Sequence, residues 1–329
     1  MRKITIIVPA YNEEANLEAL YDALLPLMDG LMPRYTPDDS EAKPLDNYDW
    51  EVLMVNDGSR DRTLEIMAQL HQRDPRFRYL NLSRNFGKEN AMLAGFDYAT
   101  GDAAVIIDAD LQHPVATIPE MVYWWEQGYE DVYGKRLSRG RESWLRRRLS
   151  MSYYKMLQRS TRVDILPNVG DFRLLDRRAL DALRRLRETQ RYTKGMYAWI
   201  GFRKKEVLYS TLERHGGQSS FNLRGLCNLA VEGITSYTTA PLRLASVIGL
   251  LSAAAAMLYA LYFLIKTIAV GDDVQGFPTL IIAILFLGGC QLLAIGIIGE
   301  YLGRIFNETK RRPPYIADSL DGEPVDSQS

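Results

Sequence analysis

Along the first 115 residues, short apolar runs alternate with segments whose apolar positions recur every three or four residues. The β-branched run Ile4–Val8 is followed by Glu13–Met28, with Leu17, Leu20 and Leu24 at helical spacing. The alternation then repeats: Glu51–Val55, Phe77–Leu82 and Ala103–Ile107 are apolar runs, and Arg62–Arg73 and Lys88–Ala99 are the periodic segments between them. Short apolar runs predict buried strands, and the longer periodicity predicts amphipathic helices. Strands alternating with helices predict a mostly parallel, Rossmann-like α/β sheet with helices on its faces. Ligands of such sheets gather beyond the carboxyl ends of the strands. Four polar clusters fall there in order: "PAYNEE", "NDGSRDRT", "SRNFGKEN" and "DADLQHP".

The fourth cluster carries the clearest chemistry. Residues two apart on an extended segment share a face, so Asp108 and Asp110 are expected to converge just past the strand. Two adjacent carboxylates are costly unless a cation joins them. Oxygen ligands select a hard divalent cation, Mg²⁺ or Mn²⁺, and such ions bridge diphosphates. Gln112 continues the alternating set and offers a third oxygen. Asp57, in "NDGSRD", is placed either to meet a ribose or a base edge or to cap its own turn.

The carboxy-terminal third changes character. Leu244–Ile265 is 22 residues without a charge and Phe277–Gly299 another 23. Each would extend roughly 33 Å as a helix, against a bilayer core of about 30 Å. Arg243 precedes the pair and "KRRPP" follows it, whereas the turn between them holds one Lys and two Asp. The positive-inside bias therefore predicts a membrane hairpin with both termini cytosolic. The five-residue apolar run at the amino terminus is too short for a signal peptide, which keeps the large domain in the cytosol. Between them, "RESWLRRRLSMSYYKMLQR" patterns as a basic amphipathic helix, suited to an anionic membrane surface or to the protein's own core. Residues 29–49, rich in Pro and Asp, read as a surface insertion. Glycines at 288, 289, 296, 299 and 303 offer a small-residue face to the first span or to another protomer, and Glu300 and Arg304 are spaced to pair.

Composition narrows the classes further. Forty basic residues balance 41 acidic ones, so there is no case for nucleic-acid binding. Two separated cysteines and three histidines exclude a disulfide framework and a zinc cluster.

As an ordered set, "VPAYNEE", "VNDGSRDRT", "LSRNFGKENAMLAGFDYATGD" and "DADLQHP" resemble family 2 glycosyltransferases of the GT-A fold. "GDFRLLDRRAL", "ERHGGQSSF", "EGITSYTTAPLR" and "GEYLGRIFNETKRRPPYI" resemble more closely the polyisoprenyl-phosphate glycosyltransferases. The resemblance implies a GT-A catalytic domain over 1–215, an interfacial linker over 216–243, two transmembrane helices within 244–303 and a cytosolic tail over 304–329. It implies a bacterial inner-membrane enzyme that moves a sugar, with inversion, from a nucleotide-diphospho-sugar to polyprenyl (undecaprenyl) phosphate, and a homo-oligomer, a tetramer. Pro9, Tyr11, Glu13 and Asp57 would line the nucleotide pocket. Asp108, Asp110 and Gln112 would form the metal site. Arg136, Arg148 and Ser150 or Ser152 would engage the lipid phosphate. Asp171 would lie near the acceptor, either orienting it or paired structurally with Arg173 or Arg177. Arg214 and Ser219 match a loop closing over the diphosphate, in which Ser220 replaces an expected lysine, so the positive charge is either lost or passed to Arg224 or a neighbour.

Other readings fit less well. A haloacid-dehalogenase phosphatase needs its Asp-x-Asp near the amino terminus. A dinucleotide oxidoreductase needs a glycine-rich turn after the first strand. A processive polysaccharide synthase needs Gln-x-x-Arg-Trp, which "QRYTKGMYAW" lacks. The non-enzymatic competitor is a membrane-tethered sugar-nucleotide sensor.

Overall fold

The computed structural model describes residues 1–37, 43–137, 169–189, 191–210, 240–270 and 276–325. Of the residues singled out above, Arg148, Ser150, Ser152, Arg214, Ser219, Ser220 and Arg224 lie outside the described residues, as does the basic amphipathic segment.

The described residues divide into two compact units. The larger is built on β1 (Arg2–Ala10), β2 (Tyr48–Asn56), β3 (Phe77–Leu82) and β4 (Ala103–Ile106), parallel in the order β3-β2-β1-β4. Antiparallel β6 (Val169–Asp176) joins at β4, followed by β5 (Asp131–Arg136) and, parallel to β5, β7 (Lys204–Tyr209). The other edge is closed by antiparallel β8 (Ala317–Leu320) and β9 (Glu323–Pro324).

The parallel strands are apolar throughout because both faces are covered. From β1, Ile4, Ile6 and Val8 enter the core shared with α1 (Leu17–Met28), α2 (Thr63–Arg73) and α4 (Ile118–Glu126). Ile7 points the other way, into a core with α3 (Lys88–Tyr98), α5 (Arg177–Arg185) and α6 (Thr193–Trp199). α3 lies close: a β-carbon on its Gly95 would stand 2.4 Å from the Ile7 Cγ2.

Three segments depart from the periodicity. α1 starts at Leu17 rather than Glu13, because Asn12 is left-handed (φ 55) and the Asn16 amide donates to the Glu13 carboxylate at 2.6 Å. The ends of the supposed insertion are anchored: Leu45 is fully buried, Pro33 bridges Pro44, and Tyr48 already belongs to β2. The segment after Arg312 is no free tail. Tyr315 donates to Asp97 at 2.6 Å, and Asp321 accepts from Arg78 Nε at 2.8 Å and from the Tyr79 N–H at 2.9 Å.

The second unit is a helical hairpin, α7 (Ala240–Val270) and α8 (Phe277–Thr309). The Ser252 hydroxyl contacts the Cys290 Sγ across it at 3.8 Å. Among the described residues, Phe286–Thr309 is long and apolar enough to cross a membrane, and Ala245–Tyr259 is a shorter apolar stretch. Glu300 and Arg304 pair at 3.1 Å. Among the described residues, a β-carbon at Gly288, Gly289, Gly296, Gly299 or Gly303 would have nothing within 4 Å.

Candidate active site

A cavity of about 290 Å³ opens at the carboxyl ends of the parallel strands, and all four polar clusters contribute to it. Pro9, Ala10, Tyr11 and Glu13 come from β1 and its loop, Asp57 from β2, Asn85, Gly87 and Lys88 from the β3–α3 junction, and Asp108 and Asp110 from beyond β4. The Tyr11 side chain is open to solvent.

Asp57 acts as a clamp between loops. Its carboxylate accepts the Phe86 N–H at 2.7 Å and the Gly87 N–H at 2.9 Å. Burial raises its pKa, and those two bonds oppose the rise without cancelling it. Gly58, next to it, is left-handed (φ 63) with Arg84 and Asn85 packed against it. The turn-forming and cavity-lining roles of Asp57 are thus both present.

β4 ends at Ile106, so Asp108 lies in the loop beyond it and Asp110 in the turn that follows, neither on an extended strand. They reach the same cavity nonetheless. The turn does break the alternation at Leu111 (φ 58), and Gln112 falls outside the cavity wall. Instead its backbone N–H donates to Asp110 at 3.2 Å. A left-handed residue thus turns the chain between Asp110 and Gln112, so the even spacing of the three residues is not that of an extended strand. Among the described residues no three Asp, Glu, His or Cys side chains gather as a metal site. Two carboxylates on a cavity wall still suit a hard cation that takes its remaining oxygens from a bound diphosphate.

Lys88 is the residue the sequence reading missed. Its ammonium stands 2.6 Å from Asp108 Oδ1 and 3.3 Å from Asp171 Oδ2, joining α3, the loop after β4 and β6. A cation in the first turn of a helix costs about 0.3–1 kcal/mol. Charge-assisted bonds to two carboxylates contribute about 1 kcal/mol each even when screened by solvent, so the pairing prevails. Burial pulls the Lys88 pKa down, but Asp108 and Asp171 outweigh it and hold the ammonium charged. Burial likewise raises Asp108, and Lys88, with His113 and Arg136, brings it below the usual carboxylate range. The available signal was a lysine opening a helix after a glycine, where the dipole disfavours it.

Asp171 therefore takes Lys88 as its counter-ion, and neither arginine considered for it. Arg173 goes to buried Asp131 at 3.0 Å and to the Gly170 carbonyl, and Arg177 goes to Asp181 and to backbone carbonyls. The other oxygen of Asp171, Oδ1, is buried without a hydrogen-bond partner. Glu89, beside it, accepts from the Thr193 N–H and hydroxyl.

Arg136 ends β5, and its Nε donates to the Tyr209 hydroxyl at 3.1 Å. It lies outside the cavity lining while lowering the Asp108 pKa. His113 supports the turn from beneath: its Nδ1 accepts the Asp108 N–H at 3.4 Å, which assigns the ring proton to Nε2. The ring stacks on Phe172 at 4.9 Å, and burial lowers its pKa from the ordinary imidazole value.

Residues 5–184 match the family described as Glycosyl transferase family 2, and residues 240–305 match the GtrB C-terminal hairpin. A Synechocystis protein described as an uncharacterized glycosyltransferase is 42% identical over 97% of this chain and 96% of its own length. An Escherichia coli K12 prophage bactoprenol glucosyl transferase homolog is 40% identical over 95% of this chain and 98% of its own. The bactoprenol glucosyl transferase of Shigella phage SfX is also 40% identical, over 96% of this chain and 99% of its own. Among solved structures, glucosyl-3-phosphoglycerate synthase from Mycobacterium tuberculosis, in complex with Mn²⁺ and UDP-glucose, is similar at TM-score 0.45 and 22% identity, over 71% of this chain and 77% of that one. With four strand-end loops meeting in one cavity and a family match spanning more than half of its length, this chain belongs to glycosyl transferase family 2.

Proposed function

We propose that this glycosyltransferase moves a sugar, with inversion, from a nucleotide-diphospho-sugar to polyprenyl phosphate at the cytosolic face of a bacterial membrane. The observation that carries the reading is the single cavity in which Asp108 and Asp110 face Tyr11, Asp57 and Lys88. The names of the relatives support the acceptor: two at 40% identity are named bactoprenol glucosyl transferase and prophage bactoprenol glucosyl transferase homolog. A UDP-sugar is the favoured donor. The hairpin supports the membrane location, since it leaves Leu250, Met257, Leu258, Phe286 and Leu292 exposed. We place α7 and α8 as two spans, with the larger unit and both termini in the cytosol.

The residues divide the work by charge. Asp108 and Asp110 would hold a divalent cation, Mg²⁺ or Mn²⁺, which supplies neutralisation of the departing diphosphate. Tyr11, Glu13 and Asp57 shape the nucleotide end of the cavity. An acceptor phosphate has a second pKa near ~6, so its oxygen is already a nucleophile at neutral pH and needs no strong base. The task left to the protein is to bring two anions together, and Lys88 and Arg136 provide fixed positive charge for it. Asp171, tied to Lys88, positions that cation on the acceptor side.

The test is transfer of labelled glucose from UDP-glucose to a short polyprenyl phosphate by the full-length protein in detergent, followed by a panel of other UDP-sugars. Asp110→Asn should lower turnover at least ~100-fold with unchanged thermal unfolding, and a chelator should stop the wild-type reaction. Binding without transfer across the panel supports the sensor reading instead, and full activity in chelator removes the metal from the scheme.

A further inference from the structure

We propose that Lys88 is a built-in counter-cation that holds the metal position closed until the nucleotide arrives, so that metal and nucleotide enter together. The inference rests on the reading that Asp108 and Asp110 hold a divalent cation.

Three observations carry it. The Lys88 ammonium is 2.6 Å from Asp108 Oδ1, the distance of a full charge-assisted bond, so Asp108 already has a cation. It lines the same cavity as Asp108 and Asp110, so an incoming cation meets the ammonium directly. And it opens α3 at a position where the helix dipole opposes a cation, with Gly87 before it at φ 90. The carboxylates, not the helix, hold the charge there.

A divalent ion approaching Asp108 must share or displace an ammonium of like charge, which weakens its binding. A nucleotide diphosphate reverses the balance. Its phosphates add negative charge to the cavity, giving both the ammonium and the divalent ion partners. The contact with Asp171 at 3.3 Å gives Lys88 a second anchor when Asp108 is taken by metal, so the side chain stays in the site. One lysine thus links the donor-side and acceptor-side carboxylates and makes metal affinity conditional on the nucleotide.

The experiment measures Mn²⁺ binding to the full-length protein in detergent, from the free-Mn²⁺ electron paramagnetic resonance signal, with and without UDP. Wild type should bind Mn²⁺ at least 10-fold more weakly without UDP than with it. Lys88→Gln should bind Mn²⁺ without UDP about 10-fold more tightly than wild type, and Lys88→Arg should keep the wild-type weakness. Equal or weaker nucleotide-free binding by Lys88→Gln overturns the inference. So does tight nucleotide-free binding by wild type, an outcome that needs no variant to fold. Asp110→Asn separates the two readings. Loss of UDP-dependent Mn²⁺ binding in that variant keeps the metal site even if Lys88→Gln behaves as wild type, whereas unchanged binding removes the metal site and this inference with it.

Discussion

At the scale of single residues, the site depends on backbone conformations that a side-chain pattern does not display. Gly58 holds the loop on which Asp57 stands: it is left-handed, and a β-carbon there would lie 2.4 Å from the Arg84 carbonyl carbon. Backbone atoms cannot yield as a flexible side chain does. Gly58→Ala should therefore destabilise the fold by about 2–4 kcal/mol, adding left-handed strain to the clash, read as a lower urea midpoint. The same substitution should weaken UDP binding, because Asp57 loses its hold on the Phe86 and Gly87 amides. Leu111 shows the opposite case. Its positive φ interrupts the alternation that Asp108, Asp110 and Gln112 show in the sequence, and Gln112 is not among the residues lining the cavity. Alternation speaks for extended chain only, and β4 ends at Ile106.

At the scale of elements, polar groups beneath the cavity hold the parallel strands in register. Glu51 of β2 accepts from the Thr5 hydroxyl at 2.6 Å and from the Thr100 hydroxyl at 2.7 Å, and pairs with Lys3 at 2.6 Å. It thereby joins β1, β2 and the α3–β4 connection. Burial alone would raise its pKa, but the bonds to Lys3, Thr5 and Thr100 win and lower it. A carboxyl depressed in the folded state adds stability above its unfolded pKa and loses it as pH falls through the folded one. Glu51→Gln should thus cost on the order of 2 kcal/mol at neutral pH. The difference from wild type should shrink as pH falls below the ordinary glutamate range and through the lowered folded-state value, where the carboxyl protonates. Urea unfolding of both proteins across that range checks the sign. The strands and helices themselves were legible from periodicity, because each buries an apolar stripe. Ends were less so: α1 starts late because the Asn16–Glu13 side-chain bond competes with the helix.

At the scale of the molecule, the chain returns after its apolar hairpin to complete the sheet it began with. β8 covers the edge of β3, and Tyr315 and Asp321 fasten it to Asp97, Arg78 and Tyr79. An open strand edge invites pairing with other chains. Truncation after Arg312 should therefore lower the thermal midpoint by several degrees, corresponding to at least about 2 kcal/mol, and increase aggregation by light scattering. Unchanged melting and solubility in the truncated protein would show the strap to be dispensable. Sequence reading treats this segment as a tail, since its short strand is polar and its pairing partner lies more than 230 residues away.

What the sequence determined by itself was everything that repeats locally: the alternation of strands and helices, the four polar loops at the strand ends, the apolar hairpin and the paired aspartates. Hydrophobic burial imposes those patterns residue by residue, so they can be read without knowing the fold. Tertiary structure alone decided which charges meet. Lys88, Asp108 and Asp171 come from a helix, a loop and a strand far apart in the chain, Asp131 takes Arg173, and Glu51 gathers Lys3, Thr5 and Thr100. An ion pair depends on where two side chains end in space, and one left-handed residue or one strand register is enough to change the partner.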